Sequence, residues 1–439
     1  MAHPLARLET GTPPMSKPSV RKLNVDPSHL VPARLTPPVS KSDAQRALVL
    51  AHLTGHWPLA VLQNEPEADL AADVRVLTRG VETLRQSPGP IRDVDCADGG
   101  APFRIFVTQA AVTPGAKVRI TGTPRLGERP HGPLFDSLRD ALGPSGLVLR
   151  EGTPWPVELH APDRTGEPVF RVPGAQSSQY ASSLLLGCAA LFLREHRPWS
   201  VEIQGPLTSA GYLELTVFWL RRFGFTVEET PSRFTVTAHQ PSAKAPPMPG
   251  DWSSLGYLLL IAWRTGGSVE RADPSSAHPD QALLRLIQPA GLTPIPGPDL
   301  TMRVEGQARA GLTASGKECP DLLPTLAALA LVLPRPSTLE DVSILRLKES
   351  DRLEGIRTLV SAYGGSTTLE GETLTITPPA APPAHFEMDS KGDHRLAMVS
   401  ATLSILSGAR LTLTGPECVE KSFPGFWRQV ERVGVRLTE

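Results

Sequence analysis

The chain has 439 residues, 40% of them hydrophobic and 20% charged, with 44 Lys and Arg against 45 Asp and Glu. That length exceeds one ordinary core and points to two domains of roughly 200 residues each. A net charge of −1 leaves no global field to recruit nucleic acid or a membrane surface, and no stretch approaches the ~18 consecutive apolar residues of a membrane span.

Residues 1–30, beginning MAHPLARLETGTPPMSKPSVRK, are polar and Pro-containing and lack a signal-peptide core. They read as a partly disordered lead-in. Then come six segments of one layout, each a polar or Gly-rich turn followed by a helix apolar on nearly all sides. They are VSKSDAQRALVLAHL from Val39, GGAPFRIFVTQAAV from Gly99, GAQSSQYASSLLLGCAAL from Gly174, GDWSSLGYLLLIAW from Gly250, CPDLLPTLAALALVL from Cys319 and GDHRLAMVSATLSIL from Gly392. A helix apolar all round is a buried helix.

After each comes an amphipathic helix. Five end at a glycine, namely Gly143, Gly224, Gly291, Gly364 and Gly434; the sixth, near Leu70 to Leu84, ends less sharply. Glycine stops a helix because it accepts the left-handed conformation. Short alternating strands such as AKVRITGT, SVEIQG, RFTVTAH, GETLTITP and ARLTLTGP lie between. The chain therefore reads as six α/β units, three per half. The Pro-rich stretch HQPSAKAPPMPG at 239–250 divides residues 38–245 from a second domain of 1–37 plus 246–439. The four cysteines, Cys96, Cys188, Cys319 and Cys418, are far apart and form no metal or redox motif. They read as free thiols of a reducing compartment, the cytoplasm.

A buried helix leaves its first N–H groups unpaired and carries positive partial charge at its N-terminus. Six parallel helices would aim six such ends at one place, a natural anion site. Ser and Asp at these starts are ordinary caps. Lys41, Arg46, Arg104 and Arg395 are not, since a cation there opposes the helix dipole. Arg125, Arg129, Lys348, Arg352 and Lys421 stand in loops that would enter the same cleft. Arg binds carboxylate or phosphate bidentately, and carboxylates move protons. The stretch RLKESDRL at 346–353 holds both kinds of group. A solvated helix start, with Asp351 as a cap, is the simpler reading of it.

At these residues the sequence resembles the 5-enolpyruvylshikimate-3-phosphate synthase family. SKSDAQRAL, GGAPFR, TGTPRLGERPHGPL, SSQYASSLL, TSAGYLEL, GDWSSLGY, PDLLPTLAALA, LKESDRLEGI, GDHRLAM and EKSFPGFW occur in that family's order from about residue 38 onward. The resemblance implies two inside-out α/β domains, each of three repeated units with buried parallel helices, and an active site in the cleft between them. It implies a monomeric cytoplasmic enzyme with no metal and no cofactor, acting on phosphoenolpyruvate and shikimate 3-phosphate. It implies Asp321, Glu349 and Lys348 as the proton-transferring groups. For shikimate 3-phosphate it implies Lys41, Ser42, Arg46, Ser177, Ser178, Gln179, Ser209, Tyr212, Asp321 and Lys348. For phosphoenolpyruvate it implies Lys41, Gly100, Arg125, Gln179, Arg352, Arg395 and Lys421.

The second unit departs from the family pattern. Where the family reads N-A-G-T-A-x-R-P, this chain reads D-G-G-A-P-F-R-I, with Ala101 at the threonine position and Ile105 at the final proline. The loop borders the phosphoenolpyruvate side, so inhibition by glyphosate, which competes there, is expected to be weaker than with the usual loop. Three rival readings stand beside the main one. A UDP-N-acetylglucosamine enolpyruvyltransferase usually has a reactive cysteine where RLGERP stands here. A paralogue would use another polyol phosphate as acceptor. A binding protein on this scaffold would have no use for Lys348, Glu349, Arg352, Asp393, Arg395 and Lys421 together.

Overall fold

The computed structural model describes residues 21–439 apart from positions 58, 60–61, 63–64, 67–68, 144–146, 150–156, 161–166, 176, 208–209, 247 and 349. The six apolar segments form α1 (Lys41–Leu53), α3 (Gly100–Val112), α5 (Ser178–Glu195), α7 (Trp252–Thr265), α8 (Leu323–Ala330) and α10 (His394–Ser407). Every residue from Trp252 to Ala262 and from His394 to Leu406 is buried, as all-round apolarity demands. The amphipathic segments form α2 (Ala72–Arg85), α4 (Gly132–Leu142), α6 (Gly211–Arg222), α9 (Arg352–Ala362) and α11 (Phe426–Arg432). The one before Gly291 shortens to a single turn, Leu283–Leu286, and Pro289 cannot continue a helix. All five terminating glycines have positive φ, from 86° at Gly434 to 96° at Gly291.

Among the described residues the strands form five four-stranded sheets of one design. In four of them a buried helix links a parallel strand pair within one continuous stretch of chain: Arg92–Asp95 with Lys117–Thr121, Val169–Pro173 with Trp199–Gln204, Thr313–Ser315 with Ser337–Glu340, and His385–Asp389 with Arg410–Thr414. In the first three an antiparallel strand then fills the third place and its hairpin partner the edge.

The N-terminus completes two of these sheets. Strand β1 (Lys22–Asp26) lies between Arg410–Thr414 and Arg436–Thr438, antiparallel to both. Strand β2 (Arg34–Leu35) pairs parallel with Ser268–Val269. The disordered lead-in thus fails at least from Lys22. Leu23 and Val25 alternate with polar neighbours and bury one face, a strand pattern that the surrounding polar residues obscured.

Two apolar cores result. One gathers residues between Val39 and Val236, and the other Leu23 to Leu35 with Trp252 to Val435. The chain crosses between them twice, and the crossings run side by side. Asp251 N donates to Pro38 O at 3.0 Å and Ser40 N to Pro249 O at 3.1 Å, with Val39 bridging Gly250. Among the described residues no helix is long and apolar enough to cross a membrane.

Candidate active site

The N-termini of α7, α8 and α10 meet at one guanidinium. Arg395 donates through Nη1 to Asp321 O at 3.0 Å and through Nη2 to Ser253 Oγ at 3.3 Å; Nη2 also stands 3.2 Å from Asp321 Oδ2. One side chain therefore touches the starts of all three buried helices of this half. Asp393 caps α10, accepting from Arg395 N at 2.9 Å.

Asp321 is the centre of the charge. Arg352 Nη1 donates to its Oδ1 at 2.9 Å, Lys348 Nζ lies 3.4 Å from the same oxygen, and Tyr212 Oη donates to Oδ2 at 3.1 Å. Burial pushes the Asp321 pKa up, but Arg395, Lys348, Arg352 and Lys41 together outweigh it and hold the carboxylate well below the usual range. Burial, with Asp321 and Asp280 adding to it, holds the Tyr212 phenol well above its ordinary value, so it stays a donor. Arg352 is 1% exposed and is fixed twice, since its Nε donates to Asp393 Oδ2 at 2.9 Å. Ser350 Oγ donates to that same oxygen at 2.8 Å, and Asp351 caps α9 through Glu354 N at 3.0 Å. RLKESDRL is thus both a helix start and part of the cluster.

Two lysines enter from opposite sides, each on a carboxylate. Lys41 Nζ lies 3.4 Å from Asp73 Oδ2, and its backbone N donates to Asp251 Oδ2 at 3.1 Å. Lys421 Nζ donates to Asp98 Oδ2 at 2.6 Å, joining the loop before α3 to that before α11. Beside Asp98, Gly100 packs against the Arg129 guanidinium so closely that a Cβ there would collide with it. Arg104 donates to Gln179 Oε1 and to Pro130 O at 3.2 Å, and stacks over Tyr180 at 5.1 Å. Burial lowers its pKa to about 10, and Arg129 adds to that.

The structure therefore brings Lys41, Tyr212, Asp321, Lys348, Arg352, Arg395 and Lys421 to the faces where the halves meet, while the contacts of Gly100 and Gln179 run to Arg129 and Arg104 of their own half. It does not bring Arg125 there. Arg125 is exposed and pairs with Glu128 at 3.4 Å, whereas Arg129, four residues on, reaches Gly100. Arg46 is buried one turn into α1. It donates to Ser42 O at 2.7 Å, Tyr212 O at 2.7 Å and Thr216 Oγ1 at 2.8 Å, and desolvation lowers its pKa to about 10. Internal acceptors thus settle its conflict with the helix dipole. Ser177 caps α5, accepting from Gln179 N at 3.2 Å, and Ser178 is buried in the turn that follows. Ser209 and Glu349 lie outside the described residues.

The sequence reading did not place the carboxylates Asp73, Asp98 and Asp280 in the site. Asp98 stood in a quoted loop, but Asp73 and Asp280 carried no signal. Asp280 is fully buried, accepts from Ser253 Oγ behind Arg395, and donates its backbone N–H to His278 Nδ1 at 3.1 Å. His278 meets Tyr212 edge-on, ring centroids 5.7 Å apart.

This arrangement can hold multiply anionic molecules beside an ionised carboxylate. The profile of the EPSP synthase (3-phosphoshikimate 1-carboxyvinyltransferase) family matches residues 25–430. The 3-phosphoshikimate 1-carboxyvinyltransferase of Methanoculleus marisnigri is 32% identical, over 92% of this chain and 97% of that protein. The Methanopyrus kandleri protein of the same name is 30% identical, over 91% and 95%. Among solved structures, an EPSP synthase from Acinetobacter baumannii superposes with a TM-score of 0.71 at 19% identity, covering 95% of this chain and all of that one. The enolpyruvyl transferase NikO from Streptomyces tendae superposes at 0.62 and 13%, covering 95% and 98%. These two share the fold.

Proposed function

The chain belongs to the EPSP synthase family, and from that premise we propose how its own residues carry out enolpyruvyl transfer. The reaction joins the 5-hydroxyl oxygen of shikimate 3-phosphate to C2 of phosphoenolpyruvate while C3 gains a proton. Loss of phosphate from C2 and of a proton from C3 then leaves the enolpyruvyl ether. The hydroxyl must lose a proton as its oxygen attacks, so an ionised carboxylate beside it is required.

The observation that carries this reading is the cage around Asp321. Asp321 takes the hydroxyl proton. The phosphoenolpyruvate carboxylate binds Arg352 and Arg395, and its phosphate binds Lys41, Lys421 and Gln179 beside the Gly100 backbone, with Arg129 in place of Arg125. Ser42, Arg46, Ser177, Ser178, Ser209 and Tyr212 face shikimate 3-phosphate, and Lys348 with Glu349 serves the C3 proton. Substrate anions compete with Asp321 for the same cations, so binding removes the charge that depresses its pKa and makes it a better base. The fixed cations also offset charge on the departing phosphate.

The halves 38–245 and 1–37 with 246–439 act as two domains that close on the substrates, turning on the paired crossings at Pro38–Ser40 and Pro249–Asp251. A working monomer is part of this proposal. The free thiols Cys96, Cys188, Cys319 and Cys418 support a cytoplasmic setting.

Asp321→Asn is the test, because it keeps the shape and the Tyr212 contact. Turnover is expected to fall about 10²–10⁴-fold with both substrates still bound, the range of a lost general base. Turnover within a factor of a few of wild type would remove Asp321 from the role.

A further inference from the structure

We infer that Asp98 is an affinity-setting residue, a built-in anion that competes with the phosphoenolpyruvate phosphate for Lys421. The inference rests on the reading of Lys421 as a phosphate ligand. Its ground is the geometry of one loop. Asp98 immediately precedes Gly99 and Gly100, which open α3, and its Oδ2 accepts from Lys421 Nζ at 2.6 Å. The pair spans the two halves of the molecule. The Lys421 side chain is 21% exposed and that of Asp98 42%, so an arriving anion can reach the ammonium and the carboxylate can swing into solvent.

Asn at this position could also touch Lys421, but it would bring no charge against a phosphate. With Asp98, phosphate binding is an exchange of one anion for another on a single ammonium. The exchange runs backward after turnover, when the carboxylate retakes Lys421 as inorganic phosphate departs. Asp73 sits against Lys41 in a similar way, at 3.4 Å, and is nearly buried, so it cannot withdraw into water as readily. Asp98 is therefore the carboxylate placed to yield.

Its effect falls on one ligand only. Asp98 raises KM for phosphoenolpyruvate and the dissociation constant of inorganic phosphate together, and leaves the shikimate 3-phosphate side alone. A merely structural role would change kcat, thermal stability or both KM values.

Asp98→Asn, with Asp98→Ser as a second variant, tests this. In both, KM for phosphoenolpyruvate is expected to fall roughly 1.5-fold to fivefold, the range a half-exposed ion pair supports, while KM for shikimate 3-phosphate stays put. Inorganic phosphate titrated calorimetrically into the same proteins is expected to bind tighter by a similar factor. That titration reads the exchange even if the wild type shows no turnover, the result that would fail the catalytic reading alone. Phosphate affinity that is unchanged or weaker in both variants would overturn the role of Asp98.

Discussion

Asp321 collects four polar partners from three separate stretches of chain: Tyr212, Lys348 with Arg352, and Arg395. Loops and helix starts placed Lys348, Arg352 and Arg395 near a cleft and the family resemblance added Tyr212, but neither could say which carboxylate they would share, because residues 109 positions apart meet only through packing. Asp73 and Asp280 were invisible for the same reason. The cage carries a pH consequence. Cations hold the Asp321 pKa low in the structure, so the folded-state value lies below the unfolded one; the carboxylate stays ionised above the usual carboxylate range and is lost only well below it. kcat/KM, which reports the free enzyme, is therefore expected to show no acid limb from Asp321 near or above its ordinary pKa of about 3.9. kcat reports the complex, where substrate anions share the cations, and its limb is expected at higher pH. Limbs measured at the same pH, or in the reverse order, would contradict this account.

Elements were more legible than contacts. All-round apolarity identified the six buried helices, since a helix without a polar face has nowhere to go but the interior. Glycine stops fixed the ends of the amphipathic ones. Gly224 shows why the stop is strict: its φ is +87°, and a Cβ would strike the backbone oxygen of Gln240. Gly224→Ala is expected to cost about 1–3 kcal/mol, read as a lower melting temperature, because both strain and collision act on fixed backbone. Unchanged melting would show that the turn relaxes freely. The segment before Gly291 was read as a full helix, and Pro289 cut it to one turn. Arg125 was read from its motif as the loop's anion contact; the turn Pro124–Gly127 leaves it outside, and Arg129 faces Gly100 instead.

At the scale of the molecule, the repeat could be seen in sequence because six similar helices recur, but its closure could not. The second half borrows β1 and β2 from the N-terminus, and β1 bonds on both edges to strands from the far end of the chain. A chain starting at Pro27 is expected to lose cooperative unfolding of the second half, since that sheet would lose an inner strand with Leu23 and Val25; calorimetry showing one native transition would contradict this. The two cores, joined by two adjacent crossings, set three helix N-termini of one half against Lys41, Tyr212 and the Asp98 loop of the other. That juxtaposition is what the proposed transfer chemistry needs. Phosphate release by the purified protein tests it most directly. The account predicts release only when phosphoenolpyruvate and shikimate 3-phosphate are both present, one phosphate for each enolpyruvyl ether formed. Release with a different acceptor alone, or none with either, would contradict it.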